Sequence, residues 1–273
     1  MKITFYGTRG SISVAEAEFS QFGGNTSCVL VSFDNGRIAI LDAGTGIRKL
    51  GNNIIAHGIE QDNIFIALSH THWDHIQGFP FFTPAYDPNR HFTIAIIGKE
   101  SRATNLESIF AAQMQREYFP VSLSEMGAHM SFWQPDVTDF TAPSGINVRT
   151  SKHNHPGNAY GYRITEGATT LVYCTDIEHG NSIDVNVINL AQNADLLIHD
   201  AQYTPKELKQ KKGWGHSSWE QAIEVALRAK VKNLALFHHD PEHDDSFLLG
   251  VEKECQRLFA NAFLAREGLV ITL

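Results

Sequence analysis

No apolar run in this chain approaches the length of a membrane span, and the opening residues Met1-Lys2-Ile3-Thr4-Phe5-Tyr6-Gly7 turn polar at once, without the apolar stretch of a signal peptide. A cytoplasmic location is the default expectation, with no membrane partner. Cysteine is scarce. Cys28, Cys174 and Cys255 stand too far apart for a paired framework or a thiolate zinc site, and read as reduced, core-filling residues. Basic residues are outnumbered, with 22 Lys plus Arg against 30 Asp plus Glu and a formal charge of −8. That balance disfavours grip on long polyanions, because neutralising phosphates takes a Lys/Arg footprint. The nearest candidate, residues 206–212, is one short mixed stretch and reads as a solvated helix face. Linkers, low-complexity segments and fixed-period repeats are missing too. With 42 % hydrophobic and 19 % charged residues, the 273 residues have an ordinary globular composition.

What the chain does have is concentrated histidine. His70-Thr71-His72-Trp73-Asp74-His75 places three imidazoles and a carboxylate in six positions directly after the apolar run 64–68. Imidazole nitrogen and carboxylate oxygen are the ligands that borderline divalent cations accept. On extended backbone His70 and His72 face the same way and can share one cation. Asp74 and His75 sit where the chain must leave the strand, and can serve a second cation a few ångströms away.

The first third alternates β-type runs with glycine-rich turns, at 3–6, 29–33, 37–41 and 64–68. Asn35-Gly36 is a tight-hairpin signal, since both positions tolerate positive φ. Asp42-Ala43-Gly44-Thr45-Gly46 ends a strand and opens a short helix through 47–50. A strand is expected at 92–97, helical character at 101–119, strands again over 146–172 broken at Gly157 and Gly167, and buried strands at 194–198 and 234–237. Helical spacing appears over 219–229, at Ala222, Val225 and Ala226. The pattern predicts a mixed α/β domain in which two sheets face each other with helices outside. Phe79-Pro80-Phe81-Phe82 with Tyr86 reads as core before it reads as a wall for stacking a base.

At these residues the chain resembles the metallo-β-lactamase superfold, whose hallmark H-x-H-x-D-H is matched by His70, His72, Asp74 and His75. It looks most like the phosphodiesterase branch that includes ribonuclease Z, the phosphonate-pathway cyclic phosphodiesterase and bacterial 3′,5′-cyclic-nucleotide phosphodiesterases. Gly7-Thr8-Arg9-Gly10-Ser11, Leu41-Asp42-Ala43-Gly44-Thr45-Gly46 and Trp214-Gly215-His216-Ser217-Ser218 support this. The resemblance implies an αββα sandwich of two facing mixed sheets, formed by one domain over 1–273 with a helical insert near 100–135, whose role as lid or interface stays open.

The family's ligand order implies that His70, His72 and His155 hold one metal, that Asp74, His75 and His238 hold the other, and that Asp176 bridges them. His153 and His239 are the neighbours not chosen. Two divalent ions are expected, zinc first, with manganese or iron as alternatives. They would ionise a shared water for attack on phosphorus, with Asp74 and His216 as the catalytic side chains. His216 resembles the histidine that contacts the phosphate and protonates the leaving alkoxide; flanking a helix start is its other reading. Asp42 and Asp200 are candidates to orient ligands, Asp42 being equally readable as a cap. Asp200 stands in a stretch, Ile198-His199-Asp200-Ala201, that departs from the ribonuclease Z pattern.

The branch members that process tRNA carry an arm between the histidine matched by His155 and the bridging aspartate. Here about twenty residues separate His155 from Asp176, enough for two strands and a turn. The expected substrate is therefore a small phosphodiester, a 3′,5′-cyclic nucleotide first. The alternatives are a ribonuclease Z-like RNA-processing nuclease and, from another class, a non-catalytic nucleotide-binding or metal-sensing module. The acids and His243 within 239–245 read as a solvated loop, and a homodimer is expected by analogy.

Overall fold

The computed structural model describes residues 1–59, 61, 63–101, 105–142 and 144–273. Among them the apolar runs pair into two seven-stranded sheets. The first contains β1 (Lys2–Gly7), β2 (Cys28–Ser32), β3 (Ile38–Leu41), β4 (Ile64–Ala67), β5 (His91–Ala95) and β6 (His129–Trp133) side by side, with β14 (Val270–Thr272) outside β1. The second runs β7 (Asp139–Thr141), β8 (Asn147–His153), β9 (Ala159–Glu166), β10 (Thr169–Cys174), β11 (Leu196–Asp200), β12 (Asn233–Phe237) and β13 (Ala262–Leu264). Both are mixed. β3 to β6 are parallel, as are β10 to β13, while β1–β2–β3 and β7 to β10 are antiparallel.

The inner faces meet in one apolar layer, where Phe5, Ile40 and Ile66 of the first sheet join Tyr162, Tyr173 and Phe237 of the second. Helix α1 (Gly46–Ala56) buries Ile47, Leu50 and Ile54, at the i, i+3, i+7 spacing of one helix face. Helices α4 (Val185–Ala191), α6 (Trp219–Ala229) and α7 (Asp245–Leu258) cover the second sheet through a separate cluster that includes Val187, Leu190, Ala222, Val225 and Leu248. The expected αββα layering is thus present.

The hairpin at Asn35-Gly36 forms by a different turn. Only Gly36 has positive φ, at +80°. Phe33 and Arg37 close the loop, and Asn35 Oδ1 accepts from the Arg37 amide at 2.9 Å. This is the three-residue loop with a left-handed glycine, so Asn35 contributes its side chain rather than its tolerance of positive φ. The segment near 100–135 is also less helical than expected. Among the described residues it holds one α-helix, α3 (Leu106–Gln113), and a short 3-10 turn (Leu123–Glu125), and ends in β6 at the sheet edge. An edge strand pairs on one side only, and β6 buries no residue fully, so its apolar signal is weak. Arg102, Ala103 and Thr104, inside the expected helical stretch, lie outside the described residues.

Candidate metal centre

The site lies where parallel strands of both sheets end, the usual place for a ligand crevice. After β4 the chain crosses the sheet top through Ser69–His72, then makes one helical turn, α2 (Trp73–Ile76). That turn carries Asp74 and His75. His70 and His72, two residues apart on extended chain, hold their rings 4.4 Å apart. Across the crevice, Asp176 stands just past β10 and His238 immediately follows β12. On the first sheet Asp42 immediately follows β3. All three adopt left-handed backbone, with φ of +53°, +64° and +59° respectively. The strain is of order 1–3 kcal/mol at each and turns a side chain at the end of a strand across the crevice.

Seven side chains expected as ligands come together. Asp176 divides its carboxylate between two groups. Its Oδ2 lies 3.6 Å from His70 Nε2 and 3.7 Å from His155 Nε2. Its Oδ1 lies 3.2 Å from His75 Nε2 and 3.3 Å from His238 Nε2. Asp74 Oδ2 completes the second group, 3.1 Å from His238 Nε2 and 3.4 Å from His75 Nε2. His72 completes the first, its Nδ1 3.0 Å from His155 Nε2. A tetrahedron of bonds of ~2.0–2.1 Å has edges of about 3.3–3.4 Å, so these separations suit a cation at the centre of each group. His70 Nε2 and His75 Nε2 are buried without a hydrogen-bond partner. Buried polar atoms are seldom left so, and here both face the space a cation would fill. The residues fit two divalent ions.

Charge agrees with geometry. Burial pushes His70, His72 and His155 below the ordinary imidazole value, keeping them neutral and able to donate lone pairs. Burial also opposes ionisation of Asp176 and Asp74, but the surrounding histidines outweigh it and hold both carboxyls well below their usual range. His75 shows the other side of this balance. Burial would lower it, yet Asp176, Asp74 and Asp42 hold it well above 6.5. The carboxylates demand positive charge at this point, which a proton or a metal can supply.

The imidazoles of His75, His155 and His238 are fixed through their remaining nitrogen. His75 Nδ1 donates to Asp42 Oδ2 at 2.8 Å, and Asp42 also accepts from the Ser69 amide and from the Tyr173 hydroxyl, each at 2.7 Å. Asp42 is thus an orienting group and not a helix cap. His155 Nδ1 donates to the Gly215 carbonyl at 2.8 Å, and His238 Nδ1 to Gln202 Oε1 at 3.0 Å. Gly215 has φ +90°, and a Cβ there would collide with the His155 ring, so only glycine allows this approach. Such supports typically change metal affinity 10–100-fold. Asp42→Ala is therefore expected to weaken binding by roughly that factor. Chelator competition checks it, and unchanged affinity would remove Asp42 from this role.

His216 lies beside the centre. Its Nδ1 donates to Asp200 Oδ2 at 2.8 Å and lies 4.0 Å from Asp176 Oδ2. Burial would lower its pKa, but Asp200 by charge and hydrogen bond, with Asp176 and Asp74, raises it to about 9. Asp200 Oδ1 accepts from the Gln202 and Ser217 amides, so the pair is rigidly seated. The helix start belongs to Ser218, which caps α6.

The other histidines stand apart from these groups. His153 points its Nδ1 at the Thr175 carbonyl and is lowered by burial to about 4. His239 bonds the Ala265 carbonyl. His243 is buried against Glu207 at 2.9 Å and stacks on Phe247. The stretch 239–245 is therefore not a solvated loop: Asp240 pairs with Lys211, and Asp244 caps α7. Phe79 and Phe82 are core, as read, but Phe81 of the same run is exposed and packs edge-on against Phe119.

The family described as Beta-lactamase superfamily domain matches residues 37–239. The chain belongs to this superfamily. Ribonuclease Z of Picrophilus torridus is 24% identical over 98% of this chain and 94% of its own length. Ribonuclease Z of Azobacteroides pseudotrichonymphae is 38% identical over 41% of this chain and 36% of its own. Among solved structures, the metallo-β-lactamase fold protein YhfI from Bacillus subtilis superposes with a TM-score of 0.71 at 23% identity, covering 99% of this chain and 98% of that one. A diphosphatase from the PhnP family gives 0.69 at 19% identity, covering 100% and 97%. The chain is a metallo-β-lactamase-fold hydrolase.

Proposed function

We propose that this hydrolase is a dinuclear metal-dependent phosphodiesterase acting on a small phosphodiester, a 3′,5′-cyclic nucleotide first. The carrying observation is Asp176, whose two oxygens face two separate nitrogen sets, with the His216–Asp200 pair alongside. His70, His72 and His155 would hold one cation and Asp74, His75 and His238 the other, with Asp176 within reach of both. Zinc is the first candidate, since imidazole and carboxylate in near-tetrahedral spacing suit it. Bound there, two dications supply an ionised water near neutral pH and positive charge for the phosphoryl oxygens. His216, held by Asp200 through Nδ1 beside Asp176, donates a proton from its other nitrogen to the departing alkoxide.

A second reading, RNA processing, draws on relatives named ribonuclease Z that align over 98% of this chain. The P. torridus alignment runs over 316 positions against 273 residues here, so that relative carries segments this chain does not. Between His155 and Asp176 the chain is taken up by the β9–β10 hairpin, and the charge is −8. Both favour a small substrate over a long polyanion.

The deciding experiment is a panel of cyclic mononucleotides, cyclic dinucleotides, bis(p-nitrophenyl) phosphate and pre-tRNA, with metal analysis on the same preparation. Turnover of cyclic mononucleotides that chelation abolishes and metal restores is the expected result. Preference for pre-tRNA would replace the reading with the second, and binding without turnover would make the protein a nucleotide-binding module.

A further inference from the structure

The two most exposed tryptophans of this chain both border the metal centre, Trp73 between the expected ligands His72 and Asp74 and Trp214 before Gly215, whose carbonyl holds His155. Trp73 is 76% and Trp214 63% exposed, whereas Trp219 is buried. Exposed large apolar side chains of this kind mark contact sites when they cluster around a crevice. Trp73 directly follows His72, the one exposed member of its ligand group. His72 Nδ1 is 3.0 Å from His155 Nε2, and His155 Nδ1 is 2.8 Å from the carbonyl of Gly215, the residue after Trp214. The backbone that carries the two exposed indoles therefore flanks the His72–His155 pair at either end.

Trp214 is also held in place. Glu178 accepts from the Gly213 amide at 2.8 and 2.9 Å and from the Gly215 amide at 2.9 Å, pinning the chain on both sides of the indole. Gly213 and Gly215 have φ of +88° and +90°, which makes a knuckle that presents the residue between them. The Lys211 ammonium lies 5.7 Å from the indole centroid. A fixed chain that displays a large apolar ring to water gains nothing in folding from that display, but it preorganises a flat surface for a ligand.

We propose that Trp73 and Trp214 form an aromatic clamp for a planar base carried on the phosphodiester, so that the substrate class is a nucleotide and not a base-free sugar or glycerol diester. The clamp deepens the phosphodiesterase reading and rests on it for the position of the phosphate. Stacking is tolerant of base identity, since every base has a π face.

The test is binding of AMP to the metal-replete protein, followed by tryptophan fluorescence and calorimetry, with ribose 5-phosphate as the base-free probe. AMP should quench the fluorescence and bind more tightly than ribose 5-phosphate. Trp73→Ala and Trp214→Ala should each weaken AMP roughly 5- to 150-fold, the equivalent of about 1–3 kcal/mol per stacked base. Trp133→Phe, at the far sheet edge, is the control. Melting curves of the variants should match the wild type, because both indoles are exposed. Equal binding of the two probes, or AMP affinity untouched in both alanine variants, overturns the clamp. Parallel assays with a cyclic nucleotide and an abasic 3′,5′-cyclic ribose phosphate separate the two readings. Equal kcat/KM for these substrates sinks the clamp and leaves the phosphodiesterase standing. Tryptophan-dependent AMP binding without hydrolysis of either does the reverse.

Discussion

Asp176→Asn should cost on the order of 1,000-fold in kcat/KM and leave at most one tightly held metal per chain, since a cation's transition-state stabilisation is worth several kcal/mol and each 1.36 kcal/mol is tenfold in rate. The substitution keeps the shape of the side chain and removes its charge. Among the described residues Asp176 is the only group whose two oxygens face both nitrogen sets, so no described neighbour can take over its place. Its loss also withdraws the largest of the charges that hold His75 above its ordinary value, so His75 becomes neutral more readily. Metal content by elemental analysis and melting with and without zinc check this. Wild-type stability should rise with added zinc by RT ln(1 + [L]/Kd), about 2.7 kcal/mol at 100 times Kd, and most of that rise should vanish in the variant. A variant that binds two metals with undiminished affinity would take Asp176 out of the bridging position.

Legibility in the sequence followed distance along the chain. His70, His72, Asp74 and His75 could be found because one strand end and one helical turn place them, and both geometries are periodic. His155, Asp176 and His238 come from other elements, and only the resemblance to a known fold selected them over His153 and His239. The groups that aim the ligands were less visible. Tyr173 reaches Asp42 across 131 positions, and Gln202 reaches His238 across 36. Nothing local distinguishes such a tyrosine or glutamine from any other core or loop residue. Glu178 reads as an ordinary acid until the fold brings it under the Gly213 and Gly215 amides. The sandwich followed from alternating apolar runs, but α7 went unread because it fully buries only Leu248 and Cys255 in fourteen residues, too thin a stripe for a helical period. Asp240 and Asp245 looked like solvated charge because their partners, Lys211 and the amides of Gln21 and Phe22, lie far away in sequence.

His216 offers the second large effect, and chemistry rather than position separates its roles. A proton donor matters when the leaving group is a poor one, and removing a general acid typically costs 10²–10⁴ in rate. His216→Ala should therefore lower kcat for a cyclic nucleotide, whose leaving group is a sugar alkoxide, by roughly that factor. The same variant should lose far less on bis(p-nitrophenyl) phosphate, because p-nitrophenolate departs without a proton. Metal content should stay at the wild-type level, since Asp176 is already supplied with four closer imidazole nitrogens. Asp200→Asn retains a hydrogen-bonding partner for His216 but removes the charge that raises it, so its loss should be smaller and specific to the alkoxide substrate. Equal losses on both substrates would mean that His216 binds the phosphoryl group rather than protonating the leaving oxygen. Unchanged turnover of both would remove it from the reaction, and the His216–Asp200 pair would then serve only to seat the loop that carries Gly215 against His155.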